Sequence, residues 1–199
     1  MKHVSYTNSL LKMPFKSALD DINKKSKSWI RSSTFNMLLH FGNPSPKEAW
    51  SLYNRMKKRQ YRPNAITQNL LLQNFAKCRK SSEWLIPRIQ SVVNDMAVVD
   101  IRLVNCLTKV LNMNSLQKES TRLIKILEGE NPEGGRIDFS RLNLKGIQMD
   151  QVTFGNILIG LKCPVLIEKY KDKFDSRNRL LYEQFLKEKG SHSKEKLNC

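Results

Sequence analysis

The chain has 199 residues, with 35 Lys and Arg against 18 Asp and Glu, a formal net charge of +17 at pH 7 and a pI near 9.9. That length fits one domain, and that imbalance favours a polyanionic partner, most simply nucleic acid. No apolar run approaches the roughly 20 residues of a membrane span, so no membrane span is expected.

Residues 1–32 form a basic segment, with Lys2, Lys12, Lys16, Lys24, Lys25, Lys27 and Arg31 against Asp20 and Asp21. Its composition suits a mitochondrial targeting sequence. The phrase Val4-Ser5-Tyr6-Thr7 suits a degenerate first repeat instead, and both readings stand. Thr34-Phe35-Asn36 then opens a short helix with Met37, Leu38, Leu39 and Phe41. Gly42-Asn43-Pro44 stops it, because Gly and Asn tolerate positive φ and Pro cannot continue a helix. Ser45-Pro46-Lys47-Glu48 starts the next helix with a cap hydroxyl, a proline in the first turn and a glutamate that reaches back. Ala49, Leu52, Tyr53 and Met56 follow at i, i+3, i+4, i+7, one helical face. The basic run Lys57-Lys58-Arg59 closes it at the negative end of the helix dipole, and Arg62-Pro63-Asn64 ends the unit.

A second unit, 65–100, places Ile66, Leu70, Leu71 and Phe75 on one face, and Arg79-Lys80 ends that helix. Ser81-Ser82-Glu83 begins its partner, where Pro87 is expected to distort the first turn or delay the helix start. The third unit, 101–150, pairs Leu103, Leu107, Val110 and Leu111 with Leu116, Leu123, Ile124 and Leu127. It is too long, and the Gly-rich stretch around 129–144 reads as an inserted, solvated loop. Its acids Glu128, Glu130, Glu133 and Asp138 have no fixed ligand spacing, so no metal site is expected. The fourth unit, 151–174, opens with Val152-Thr153-Phe154-Gly155 and carries Leu166, Ile167, Tyr170 and Phe174. A capping helix, 175–189, with Leu180, Leu181, Phe185 and Leu186, is expected to close the apolar end of the stack. Residues 190–199 read as a polar, disordered tail.

The opening phrase recurs. Val4-Ser5-Tyr6-Thr7, Ser33-Thr34-Phe35-Asn36, Ile66-Thr67-Gln68-Asn69, Arg102-Leu103-Val104-Asn105 and Val152-Thr153-Phe154-Gly155 end 29, 33, 36 and 50 residues apart. A repeated period is the signature of stacked supersecondary units. With the central Glu48-Ala49-Trp50-Ser51-Leu52-Tyr53-Asn54-Arg55-Met56 and closing Pro63-Asn64 or Met149-Asp150, at about 35 residues per unit, the chain resembles the pentatricopeptide (PPR) family of RNA-binding helical repeats. Ser33–Asn64 carries the resemblance best. It implies an all-α, right-handed solenoid of helix-turn-helix repeats ending in a capping helix.

The resemblance also implies where bases are read. In the family, the last residue of the opening phrase bonds the base edge and the residue closing the same unit adjusts the choice. These would be Asn36 with Asn64, Asn69 with Asp100 and Asn105 with Asp150, a set that leans to pyrimidines. Ile66 and Val152 would sandwich bases, whereas Ser33 and Arg102 depart from the apolar pattern. The insertion after Gly129 is expected to displace Asp150, leaving Asn69 with Asp100 as the best-formed pair. Lys57, Lys58, Arg59, Arg62, Arg79 and Lys80 form the expected phosphate footprint.

Catalytic chemistry is not written here. There is no G-x-x-x-x-G-K-[ST], G-x-G-x-x-G or H-E-x-x-H, and His3, His40 and His192 lie far apart, none beside a nucleophile. Cys78, Cys106, Cys163 and Cys199 are scattered without a C-x-x-C pair, which points to free thiols in a reducing compartment. The expectation is a non-enzymatic, cofactor-free mitochondrial protein that binds pyrimidine-rich single-stranded RNA. It would act in RNA processing, stability or translation, alone or with the mitochondrial ribosome or another RNA-processing protein. The alternative is a protein-binding helical scaffold or a mitochondrial ribosome-associated subunit.

Overall fold

The computed structural model describes residues 2–26, 29–78, 81–161 and 163–195, and the described residues contain helices and no strand. Helices α1 (Lys2–Leu11), α3 (Ser32–Phe41), α5 (Ala65–Ala76), α7 (Ile101–Met113) and α9 (Gln151–Asn156) alternate with α2 (Phe15–Lys24), α4 (Pro46–Lys58), α6 (Ser82–Asn94), α8 (Gln117–Leu127) and α10 (Pro164–Tyr170). Each of the first four odd-numbered helices packs on the next odd one and on its own even partner. The result is a row of stacked hairpins with one layer of first helices and one of second helices. The chain ends in α11 (Ser176–Glu195), which packs on α9. It runs past the expected boundary at 189, because Lys and Glu favour helix even without a core to cover.

Local chemistry explains the hairpins. Ser45 and Glu48 form the expected reciprocal cap on α4: the Ser45 N–H donates to Glu48 Oε2 at 2.9 Å, and the Glu48 N–H donates to Ser45 Oγ at 3.4 Å. Ala49, Leu52, Tyr53 and Met56 are all fully buried, at roughly 1.5–3 kcal/mol for each large apolar chain. The turn before α4 puts its positive φ on Asn43 (+43°), while Gly42 stays right-handed. Pro87 neither delays nor ends α6, which starts at Ser82 and includes it. Pro87 is exposed, and so is Glu83, the residue whose carbonyl loses its intrahelical donor. Ile66 leaves the expected apolar face and is 59% exposed, while Leu71, Leu72 and Phe75 form the core side of α5.

Amides stitch neighbouring first helices together. Asn74 Nδ2 donates to the Leu39 carbonyl at 3.1 Å, and Asn114 Nδ2 donates to the Phe75 carbonyl at 3.3 Å. Beyond α9 the helix widens into a π turn, Ile157–Leu161. There Asn112 Nδ2 donates to the Asn156 carbonyl at 3.0 Å. A Cβ on Gly160 would lie 2.1 Å from that amide nitrogen, so only glycine admits the approach.

The insertion is solvated only in its first half: residues 129–131 and 133–136 are exposed, and the rest is packed. Ile137, Phe139, Leu142 and Leu144 are buried in the main core. Gln90 clamps the loop from α6, donating to the Asp138 carbonyl at 3.1 Å and accepting from the Asp138 N–H at 2.6 Å. From α8, Arg122 Nη1 reaches the Ile137 carbonyl at 3.0 Å, and Glu119 Oε1 accepts the Arg136 N–H at 2.7 Å. Both clamps come from second helices, so the loop leaves the first-helix layer uncovered. The apolar interior falls into two clusters. One runs from Tyr6 to Leu144, and the smaller joins Ile124 to Phe154, Ile157, Leu158, Leu161, Leu166, Ile167, Tyr170 and Phe174.

Candidate nucleic-acid interface

Successive first helices present the same kind of residue at the same place. Asn36 on α3, Asn69 on α5 and Asn105 on α7 each sit near the helix start, five residues beyond the caps Arg31, Asn64 and Asp100. One turn further along the same face come His40, Gln73 and Lys109, all exposed. Val4, Ile66 and Val152 stand at the start of α1, α5 and α9, and are 55%, 59% and 59% exposed. Ser33 and Arg102 occupy the corresponding places on α3 and α7 and are exposed too.

The predicted pairs meet unequally. Asn105 Nδ2 donates to Asp150 Oδ1 at 2.9 Å, and Asn105 Oδ1 accepts from Thr153 Oγ1 at 2.8 Å. Because Asp150 can only accept, it fixes which end of the Asn105 amide faces it. The insertion therefore does not displace Asp150, contrary to expectation. Burial works against the Asp150 charge, yet the Thr153 N–H and the Asn105 and Thr153 side chains outweigh it and hold the carboxyl below the usual carboxylate range. Asn36 and Asn64 meet through Thr67, whose Oγ1 lies 2.8 Å from Asn36 Oδ1 and 3.0 Å from Asn64 Oδ1. The Asn64 N–H donates to that same hydroxyl at 3.3 Å, so its hydrogen is turned toward the two amide oxygens. Between the first two units, Thr7 and Thr34 hydroxyls meet at 3.1 Å.

The middle pair is the exception. Asp100 caps α7 by accepting the Leu103 N–H at 2.8 Å, but no hydrogen bond joins it to Asn69. Where the other joints have Thr34, Thr67 and Thr153, this one has Leu103, and Asn69 Oδ1 is buried with no partner.

A cleft of about 650 Å³ opens between α7, α9 and α11. Asn105, Lys109, Val152, Gly155, Ile159 and Arg177 are among its lining residues. A predicted reader and a predicted sandwiching residue thus share a concave site with two cations. Lys109 was not among the predicted phosphate contacts, although its place one turn beyond Asn105 marks it.

Two of the predicted footprint residues are paired with groups of the protein at its surface. Lys57 pairs with Asp95, which also accepts from Tyr53 Oη at 2.8 Å. Arg59 donates to the carbonyls of Ile22 and, at 2.6 Å, of Lys25, closing the end of α2. Both act as straps between neighbouring second helices. A cation near a helix C-terminus has carbonyls to satisfy, and these draw Arg59 away from solvent. Lys58 and Arg62 are exposed. Arg79 and Lys80 lie outside the described residues.

A model of the PPR repeat family matches residues 32–77, which take in α3, α4 and α5 with Asn36, Asn64 and Asn69. No curated protein matches the chain.

Proposed function

We propose that this chain, a carrier of PPR repeats, binds single-stranded RNA along its first-helix layer. PPR repeats are in general RNA-binding helical repeats, and no described helix is long and apolar enough to cross a membrane. The observation that carries the reading is the alignment of Asn36, Asn69 and Asn105 at one register on consecutive helices. Asn36 and Asn69 are half-buried and Asn105 is buried, each beside an exposed rim, one unit per base, in the manner of helical-repeat RNA readers. The +17 charge supplies sequence-independent attraction, with Lys109 and Arg177 in the cleft, and Lys58 and Arg62 at the end of the α4 hairpin.

The pairing of Asn105 with Asp150 and of Asn36 with Asn64 supports a preference for pyrimidines. The basic segment before α3 and the family resemblance support a mitochondrial site of action, in RNA processing, stability or translation. A partner from the ribosome or the processing machinery would extend the short reading frame. A second reading, a protein-binding scaffold, draws on α11, where Leu180 and Leu186 are 61% and 48% exposed.

Retention on immobilised single-stranded RNA across a salt series tests the proposal. The logarithm of affinity should fall linearly with the logarithm of salt concentration, and Lys109→Gln should flatten the slope by about one. No retention at low salt would leave the scaffold reading in place.

A further inference from the structure

We propose that the cleft between α7, α9 and α11 takes a purine nucleotide of the bound RNA, with the Asn178 amide oxygen as the acceptor for its base. This rests on the RNA-binding reading above and names a base class that the three asparagines leave out.

Gly155 stands five residues beyond the α9 cap Asp150, at the register that Asn36, Asn69 and Asn105 hold on the earlier first helices. It brings no side chain to the groove. The next helix brings one instead, since a Cβ built on Gly155 would lie 3.3 Å from Asn178 Oδ1. Asn178 is the third residue of α11 and is 3% exposed.

The polarity of that amide is set by groups that have only one choice. The Asp175 N–H donates to Gln151 Oε1 at 3.0 Å, and Gln151 Nε2 donates to the Lys173 carbonyl at 2.9 Å, so the ends of the Gln151 amide are fixed. Asn178 Nδ2 then donates to Gln151 Oε1 and to the Gln151 carbonyl, both at 2.9 Å. With two acceptors on the NH₂ end, Oδ1 is left as an acceptor, and among the described residues nothing donates to it. Asn112 Oδ1 in the same lining is sealed from solvent, and Asn178 Oδ1 is not.

The rest of the cleft suits a nucleotide. Its volume of about 650 Å³ falls within the range of small-molecule sites, about 300–1,000 Å³. Val152 and Ile159, 59% and 60% exposed, supply apolar surface, and Lys109 and Arg177 supply cations for a phosphate. Asp175 lines it too, with its carboxylate turned to the Asn178 N–H at 2.8 Å. Asn178 lies deeper than the half-buried Asn36 and Asn69, so a base must reach further to meet it. Two rings reach further than one. Adenine at its N6 amino group, and guanine at N1 and its N2 amino group, bring the donor that Oδ1 lacks.

The test compares oligouridine with the same RNA carrying one adenine, one guanine or one unsubstituted purine, by filter binding to wild type and to Gly155→Ala. The unsubstituted purine keeps both rings and has no donor on its Watson–Crick edge. Alanine suits the helix, and its methyl group enters the cleft in front of Oδ1; the melting transition checks the fold. One adenine or guanine should tighten binding to wild type about tenfold, and the unsubstituted purine less than about threefold. In Gly155→Ala the ratio of the adenine-bearing RNA to oligouridine should fall to about one. Should that variant not fold, the unsubstituted purine decides alone, because it leaves the protein unchanged. No gain from adenine or guanine, or a gain kept by the unsubstituted purine or by Gly155→Ala, would overturn the assignment while RNA binding stands. Free AMP at the RNA concentration should not compete, and competition would mark a mononucleotide site and overturn the assignment to RNA. Failure of wild type to hold any of the RNAs at low salt would overturn the RNA reading itself, and this assignment with it.

Discussion

Asn105 and Asp150, 45 residues apart in sequence, are joined by a hydrogen bond of 2.9 Å. The long excursion between them docks on α6 and α8, so it returns the chain to register instead of pushing it out. The joint has a pH signature. The Asp150 carboxyl is held below its ordinary range against the pull of burial. A group depressed in the folded state contributes stability that is fully present above its unfolded pKa, about 3.9, and is lost as pH falls through the folded value. Asp150→Ala should therefore cost about 1–2 kcal/mol at neutral pH, largely through the lost cap. The gap to wild type should stay constant down to about pH 5 and narrow below about pH 4. Urea unfolding at a series of pH values checks this, and a gap that widens in acid contradicts it.

The packed insertion makes its own prediction. Phe139 is 1% exposed and lies with Arg122 over its ring at 5.8 Å. Phe139→Ala should cost about 3–4 kcal/mol by cavity formation, measured by denaturant unfolding. A loss within about 0.5 kcal/mol, the usual range for surface changes, would mean that the loop is solvated after all.

The second-helix straps should matter for stability more than for RNA. Tyr53 is fully buried apart from its bond to Asp95, and burial together with that carboxylate pushes its phenol pKa up. Tyr53→Phe should destabilise by about 1.5–3 kcal/mol, the value of a hydrogen bond to a charged acceptor. Lys57→Gln should leave the salt slope of RNA binding closer to wild type than Lys109→Gln does. A larger change from Lys57→Gln would restore Lys57 to the phosphate footprint.

Ile66 offers the opposite test. It is 59% exposed, so Ile66→Ala should move stability by less than about 0.5 kcal/mol. If it flanks a base, the same change should weaken RNA binding by roughly fivefold, about 1 kcal/mol. Calorimetric melting and filter binding on the same preparation separate the two effects.

Much of this was readable from residues. The Ser45–Glu48 cap and the stripe from Ala49 to Met56 are local signals with few alternatives, and α4 follows them closely. The repeated phrase located the three amides because its spacing survives in sequence. The insertion misled because glycines dominate its appearance, although Ile137 and Phe139, and again Leu142 and Leu144, alternate with polar neighbours on either side of the turn at 140–141. Arg59 misled for a deeper reason: its partners are backbone carbonyls of Ile22 and Lys25, and a carbonyl leaves no mark in a sequence. Leu103 was visible as a departure from the phrase, but the missing link from α7 to Asn69 was not. A threonine after a cap reads as part of the cap, and only the fold brings its hydroxyl to the helix before.

The apolar core is divided, and one hydrogen bond reaches across the division. Asn105 stands on α7, whose Leu103, Val104, Leu107, Val110 and Leu111 belong to the larger cluster, while the hydroxyl that holds it stands on α9 beside Phe154, in the smaller one. An excursion that melts the smaller cluster alone, at less free energy than global unfolding, unlatches Asn105 while the helix beneath it stays formed. The hydrogen bond between Asn105 and Thr153 is then the contact between the two clusters that warming or mild denaturant should open ahead of the global transition.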